Sequence, residues 1–232
     1  KNCKFDCWDC GYCDKIMAAK YGKHINPKVA VVAKELVDSV NNIVDISIPG
    51  LTSTRVQSLI NGIAKSSSKY LEIGSYQGAT AAAALSGNKL DAYFVDTWQD
   101  APQAVREEWE TPATNSLEEF KSNIAPYKGD NKVFISNSDM FKVNVKNISD
   151  VDLFFYDGPH DLESTKNAVK YYSPVFSKHA ILIFDDANWT DVVKGAHKGI
   201  LESGLKILYS KKILNSLESE SDWWNGLYIT VV

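Results

Sequence analysis

Apolar and polar positions along the chain change period several times, and the changes predict alternating helices and strands. Val29, Val31, Val32, Leu36, Val37 and Val40 recur at helical spacing after Asn26-Pro27, a pair suited to opening a helix. Ile48-Pro49-Gly50 interrupts the chain, and Thr52 or Ser53 can cap a second helix carrying Val56, Leu59, Ile60 and Ile63. Beyond the serines at 66–68 the pattern predicts strand 70–74, helix 78–86 and strand 91–96. A polar insertion over 97–127 follows, with two short helices at 105–109 and 116–124. Strands 132–136 and 151–156, helix 162–173, strand 179–184, helix 189–202 and strands 205–209 and 226–232 complete the series.

Near-continuous apolar strands such as Val151-Asp-Leu-Phe-Phe-Tyr156 and Ala180-Ile-Leu-Ile-Phe184 are expected where helices cover both faces of a sheet. Intervening helices supply right-handed crossovers between parallel strands. The last two strands break this rule, because only a loop at 210–225 lies between them. The expected architecture is therefore α/β: a doubly wound, mostly parallel, seven-stranded sheet with N-terminal helices and a short Cys-rich N-terminal segment. The corresponding divisions are 1–25, 26–66 and 67–232.

Composition narrows the picture. The 232 residues are 44% hydrophobic and 23% charged, which suits one ordinary domain with an appendage. A net charge of −4, without a Lys/Arg cluster, argues against a nucleic-acid surface. No apolar run is long enough to span a membrane, and no secretory signal is read, so a cytoplasmic location is expected. Lys1 in place of Met leaves the true N-terminus open.

All the cysteines fall at Cys3, Cys7, Cys10 and Cys13. Four thiolates this close suit one Zn²⁺ or an iron–sulfur cluster, with local disulfides or free thiols as the alternatives. Zinc is preferred, because an intracellular setting disfavours disulfides and no redox motif accompanies the thiols.

Candidate chemistry gathers at strand ends. Tyr70-Leu-Glu-Ile-Gly-Ser-Tyr-Gln-Gly-Ala-Thr80 is an apolar strand, an acid and a Gly-x-x-x-Gly turn that leads into a helix of small residues. Such a turn brings backbone N–H groups against a ligand at the carboxyl edge of a sheet. Asp96, Asp139, Asp157 and Asp185-Asp186 each follow an apolar run. Asp96 is placed to accept two ribose hydroxyls side by side, or to act as a turn or capping aspartate. Several carboxylates over one cleft edge repel unless a cation or proton compensates, which suits Mg²⁺ or Ca²⁺. His160, just past Asp157, could act as a general base or as an orienting group within its loop.

These segments resemble class I S-adenosylmethionine-dependent methyltransferases, and in particular the macrocin-O-methyltransferase-like subgroup of bacterial and phage proteins. The strand-turn at 70–80 is similar to their motif I, and Asp96 to the acid that ends their second strand. Asp152-Leu-Phe-Phe-Tyr-Asp-Gly-Pro-His160 and Ile183-Phe-Asp-Asp-Ala-Asn-Trp189 are similar to their D-G-x-H and D-D-x-N-W segments. Gly50-Leu-Thr-Ser53 and Trp223-Trp-Asn-Gly-Leu-Tyr228 fit as well.

The resemblance implies methylation of a small-molecule or sugar hydroxyl, with S-adenosylmethionine as donor. It implies cofactor contacts from Glu72, Gly74, Ser75, Tyr76, Gly78, Asp96, Ser138, Asp139 and Asp157. It also implies a divalent-metal site at Asp157, Asp185 and Asp186, and catalytic roles for His160 and Asp157. The expected partner is a small-molecule acceptor, and a homo-oligomer is compatible with the sequence. Two other classes compete. A nicotinamide-dependent oxidoreductase would want glycine where Tyr76 and Ala79 stand. A cofactor-binding module without turnover, docked through the cysteines, is the second.

Overall fold

The computed structural model describes residues 26–39, 41–44, 46–99, 116–215 and 222–232. The four cysteines and the helix expected at 105–109 lie outside the described residues.

Local signals start the elements where the sequence places them. Helix α1 (Pro27–Asp38) opens on Asn26, whose side chain accepts a hydrogen bond from Lys28 N at 2.9 Å, with Pro27 in the first turn. Helix α2 (Thr54–Ala64) is capped by Ser53, which accepts from Val56 N. Strand β1 (Lys69–Ile73), helix α3 (Ala79–Leu85) and strand β2 (Asp91–Asp96) follow. Helix α4 (Leu117–Ile124) is capped by Ser116, and strand β3 (Lys132–Asn137) comes after it. Then come β4 (Val151–Tyr156), α5 (Leu162–Tyr172), β5 (Phe176–Phe184), α6 (Thr190–Glu202), β6 (Tyr209–Ile213) and β7 (Leu227–Val231).

The seven strands form one sheet in the order β3-β2-β1-β4-β5-β7-β6, with β7 antiparallel to both neighbours and every other pairing parallel. Alternate side chains feed two cores. Tyr70, Phe94, Leu153, Phe155, Ile181 and Ile183 pack with α1, α2 and α4 residues such as Val32, Leu59 and Phe120. Leu71, Ile73, Phe154, Tyr156, Leu182 and Phe184 face the other way, onto Ala168, Tyr172, Val192 and Ala196 of α5 and α6. Residues 26–64 thus share a core with the sheet and cover one of its faces.

One element is displaced. The strand expected at 205–209 runs instead from Tyr209 to Ile213. Leu205 and Ile207 keep the alternation but lie within the helix–strand connection and pack against the α5–α6 core. The ladder to β7 opens with Tyr209 opposite Val231, beside a Leu208 N–H that donates to Val231 O at 2.8 Å, and β7 extends no further to receive residues 205–207.

The order of strands reverses between β1 and β4, the crevice where ligands of open α/β sheets bind. Backbone bonds bind the carboxyl ends together there: Gly74 N donates to Val95 O, and Asp157 N to Ile73 O, both at 2.9 Å.

Candidate active site

Glu72 stands beneath the turn, fully buried, and accepts hydrogen bonds from the Tyr70 hydroxyl and from Thr80 Oγ1. It supports the turn from below. Burial raises its carboxyl from the ordinary 4.5 to about 8, against the hydrogen bonds that favour the anion. The folded chain therefore keeps a proton that the unfolded chain releases above about 4.5, and folding stability falls as pH rises from there towards 8. Replacing Glu72 with Gln removes this titration. The difference in unfolding free energy between the variant and the unmodified protein, followed by urea denaturation, should grow in the variant's favour by a few kcal/mol from about pH 5 to pH 8. A difference that stays constant across that range would show that Glu72 is ionised in the fold.

Above Glu72 the chain turns through Gly74 at φ +83° and Gly78 at φ +93°. A Cβ on Gly74 would sit 1.9 Å from the Asp157 carbonyl oxygen. Tyr76 also takes a left-handed φ, +43°, which a side chain adopts only when held. Asp96 holds it: Oδ2 accepts from Tyr76 N and Oδ1 from Trp98 N, each at 2.8 Å. The Trp98 indole then donates to Tyr76 O at 2.9 Å. Asp96 thus makes the bonds of a turn aspartate, and each oxygen keeps a lone pair for a ligand.

A cleft opens over this turn, lined by Gly50–Thr52, Gly74–Tyr76, Gly78–Thr80 and Asp157. Thr52 Oγ1 is buried there without a hydrogen-bond partner, and Ser75 Oγ is buried beside the Glu72 carboxyl, whose anion it favours. Two buried hydroxyls beside a close-packed glycine turn fit the polar end of a bound small molecule. Ser138 and Asp139 contribute less: Asp139 is exposed, with Oδ1 accepting from Phe141 N at the start of a short 3-10 turn. Ser138 Oγ lies 2.9 Å from Ser136 Oγ.

The acids at the ends of β4 and β5 meet His160. His160 Nε2 lies 2.7 Å from Asp186 Oδ2 and 4.0 Å from Asp157 Oδ1, and one ligand atom from each of the three residues falls within 4.8 Å of the others. Among the described residues this is the set that converges, with His160 where Asp185 was expected. Asp186 adopts φ +58°, and the buried Asp185 carboxylate turns back to accept from Asp186 N at 2.9 Å.

Of the two roles open to the imidazole, general base and orienting group, its surroundings favour the second. Asp157 and Asp186 together raise its pKa to about 10, so at neutral pH it is a cation and not a free base. It supplies the positive charge that the acids require. Asp157 is itself shifted upwards by burial, with Asp186 adding to the effect. The His160 ring stacks on Trp189, centroids 4.7 Å apart.

The residues overlooked in the sequence are Gly50–Thr52 and Asn225. Gly50-Leu-Thr-Ser reads as the approach to a helix, yet it forms one wall of the cleft. Asn225 Nδ2 donates to Asp186 Oδ1 at 2.8 Å. Nothing in periodicity marks either, although both lie in segments that carry the family resemblance.

A sheet of this order, with a glycine turn at its switch point and acids along the same edge, is the architecture of class I S-adenosylmethionine-dependent methyltransferases. The methyltransferase domain family matches residues 71–187, half of the chain, and the chain belongs to that family. Solved structures agree on the fold. NovP, an O-methyltransferase, superposes with a TM-score of 0.54 at 14% identity, covering 75% of this chain and 76% of its own. An O-methyltransferase assignment also attaches to a Klebsiella pneumoniae protein, with a TM-score of 0.53 and 12% identity over 97% of both chains. TomG of Streptomyces achromogenes, an O-methyltransferase of tomaymycin synthesis solved with S-adenosylmethionine, gives 0.52 at 11% identity, covering 100% of this chain and 99% of its own. A search of curated proteins finds no match. Among the described residues no helix is long and apolar enough to cross a membrane.

Proposed function

We propose that the protein transfers the methyl group of S-adenosylmethionine to a hydroxyl of a small molecule or sugar, as a macrocin-type O-methyltransferase. The observation that carries this reading is the double position of Asp157, which lines the cleft over the glycine turn and also belongs to the cluster with His160 and Asp186. Methyl donor and proton acceptor would meet at that residue. The names of the structural neighbours, O-methyltransferases among them, point the same way.

In this reading Gly74, Ser75, Tyr76 and Gly78 shape the cleft, and Ser75 and Thr52 offer their buried hydroxyls to the amino-acid end of the donor. Asp96 takes the ribose with its remaining lone pairs. The sulfonium supplies an activated methyl group, so the protein's task is alignment and removal of one proton. The acceptor oxygen forms a bond to the methyl carbon, the carbon–sulfur bond breaks towards sulfur, and the hydroxyl proton passes to the cluster.

Asp157 and Asp186 would hold a divalent cation, and His160 would join them only as a neutral imidazole, its proton displaced by the ion. Such an ion, Mg²⁺ or Ca²⁺ in the first instance, would lower the pKa of a bound hydroxyl. The cysteines are assigned a separate zinc site that serves stability or docking.

Incubation with S-adenosylmethionine, Mg²⁺ and a panel of sugar, phenolic and aliphatic alcohols, followed by mass spectrometry, should yield S-adenosylhomocysteine and one methylated acceptor. Excess chelator should abolish turnover, and added Mg²⁺ should restore it. If the protein fails to bind S-adenosylmethionine in calorimetry, the reading is wrong. If turnover survives the chelator, the metal is removed from it and His160 remains as the charge partner.

A further inference from the structure

Asp186 is an aspartate in a left-handed backbone conformation, buried, with one oxygen on His160. A left-handed φ of +58° is open to an aspartate, and here neighbouring hydrogen bonds fix it. The holding comes from the turn that precedes β7. Asn188 N donates to Asn225 O at 2.8 Å and Ala187 N to Gly226 O at 3.0 Å, so the two residues after Asp186 are bound backbone to backbone to residues 225–226. Asn225 Nδ2 then occupies Asp186 Oδ1, leaving Oδ2 for the imidazole.

The turn is fastened in its own right. Trp224 is at φ +52° and Gly226 at +83°, with Asn215 Nδ2 donating to Trp224 O. From the opposite side Ser53 Oγ donates to Asp222 O, Arg55 Nη1 lies 2.5 Å from Asp222 Oδ1, and the Arg55 guanidinium covers the Trp223 ring at 4.4 Å.

We infer that Asn225 is a positioning residue of the active site. Its amide fixes which oxygen Asp186 presents to His160, and the clasp from Ser53 and Arg55 ties that choice to the wall of the cofactor cleft. Asparagine suits the task because it donates to the carboxylate without adding charge, whereas aspartate of the same shape would repel it. The inference rests on the functional reading for its significance, but its geometry can be tested without a methyl acceptor.

The test uses the full chain labelled with ¹⁵N at histidine, at one fixed pH. In the unmodified protein the Nε2–H of His160 should give a downfield signal that exchanges slowly with water, assigned by its loss in His160→Gln. Asn225→Ala and the isosteric Asn225→Asp should lose that signal or exchange it at least tenfold faster. Asn225→Gln, which keeps the donor, should recover part of the protection.

S-adenosylmethionine affinity, measured by calorimetry, should change less than threefold in each Asn225 variant, which shows the cleft intact. A protected His160 signal that persists in both Asn225→Ala and Asn225→Asp overturns the inference. So does protection that vanishes only together with a general loss of folded-state signals, with Asn225→Gln no better than alanine. Failure of the unmodified protein to bind S-adenosylmethionine would fall on the functional reading, and the His160 signal would still decide the role of Asn225.

Discussion

Gly74→Ala should unfold far more readily than the unmodified protein and should lose S-adenosylmethionine binding. The added methyl would meet the Asp157 carbonyl oxygen at 1.9 Å and its carbon at 2.7 Å, both of them backbone atoms that no rotamer change can clear. The left-handed φ of +83° adds strain of its own. Relief requires β1 and β4 to part at their carboxyl ends, where Asp157 N is bonded to Ile73 O. The expected loss is about 3 kcal/mol or more, combining overpacking with backbone strain. Gly87 is the control: its φ is +68°, but a Cβ there meets nothing within 4 Å, so Gly87→Ala should cost only the strain, about 1 kcal/mol. Urea denaturation of the two variants measures the contrast directly. Equal stabilities would show that β1 and β4 are not packed as described.

Asp96→Ala should weaken the protein in two measurements at once. The carboxylate accepts from two backbone N–H groups, of Tyr76 and Trp98, and both residues take a left-handed φ. Removing it leaves two unpaired donors and releases the turn that shapes the cleft. Bonds to a charged acceptor contribute about 1.5–3 kcal/mol each and are not additive, so roughly 2–4 kcal/mol of stability should be lost. In calorimetry S-adenosylmethionine affinity should fall more than tenfold, or about 1.4 kcal/mol. Asp96→Asn should lie between, because an amide oxygen satisfies one N–H and its NH₂ opposes the other. An Asp96→Ala protein of unchanged stability would remove the turn from the account of Asp96.

The central strands and the glycine turn were legible because they are written in contiguous residues. A short strand such as Tyr70-Leu-Glu-Ile73 followed by Gly74 and Gly78 states its own strand and turn, and Ser53 and Ser116 state their caps. The start of β6 is different. Leu205, Ile207 and Tyr209 alternate without a break, and only the position of Val231 on the partner strand decides where pairing begins. Side-chain convergence is further removed from pattern. Whether Asp185 or His160 joins Asp157 depends on one dihedral angle at Asp186 and on the loop through Gly158 and Pro159. The charge of His160 depends in turn on that meeting. Asp96 was legible as a strand-end acid, but its two backbone partners lie in separate turns, at Tyr76 and Trp98.

The place of β7 inside the sheet has a consequence for how the molecule is assembled. It is the seventh strand in sequence, yet it stands between β5 and β6, so β5 keeps an open edge until residues 227–231 arrive. Pairings between distant segments form slowly, and an open apolar edge invites wrong partners in the meantime. The cleft side of the molecule, from Gly50 to Trp98, can settle while that edge is still unpaired. Asn225, which stands just ahead of β7, cannot reach Asp186 until the strand has docked. The hold of Asn225 on Asp186 is therefore made in the same event that closes the sheet, and a partly folded chain could form the glycine turn before that hold exists.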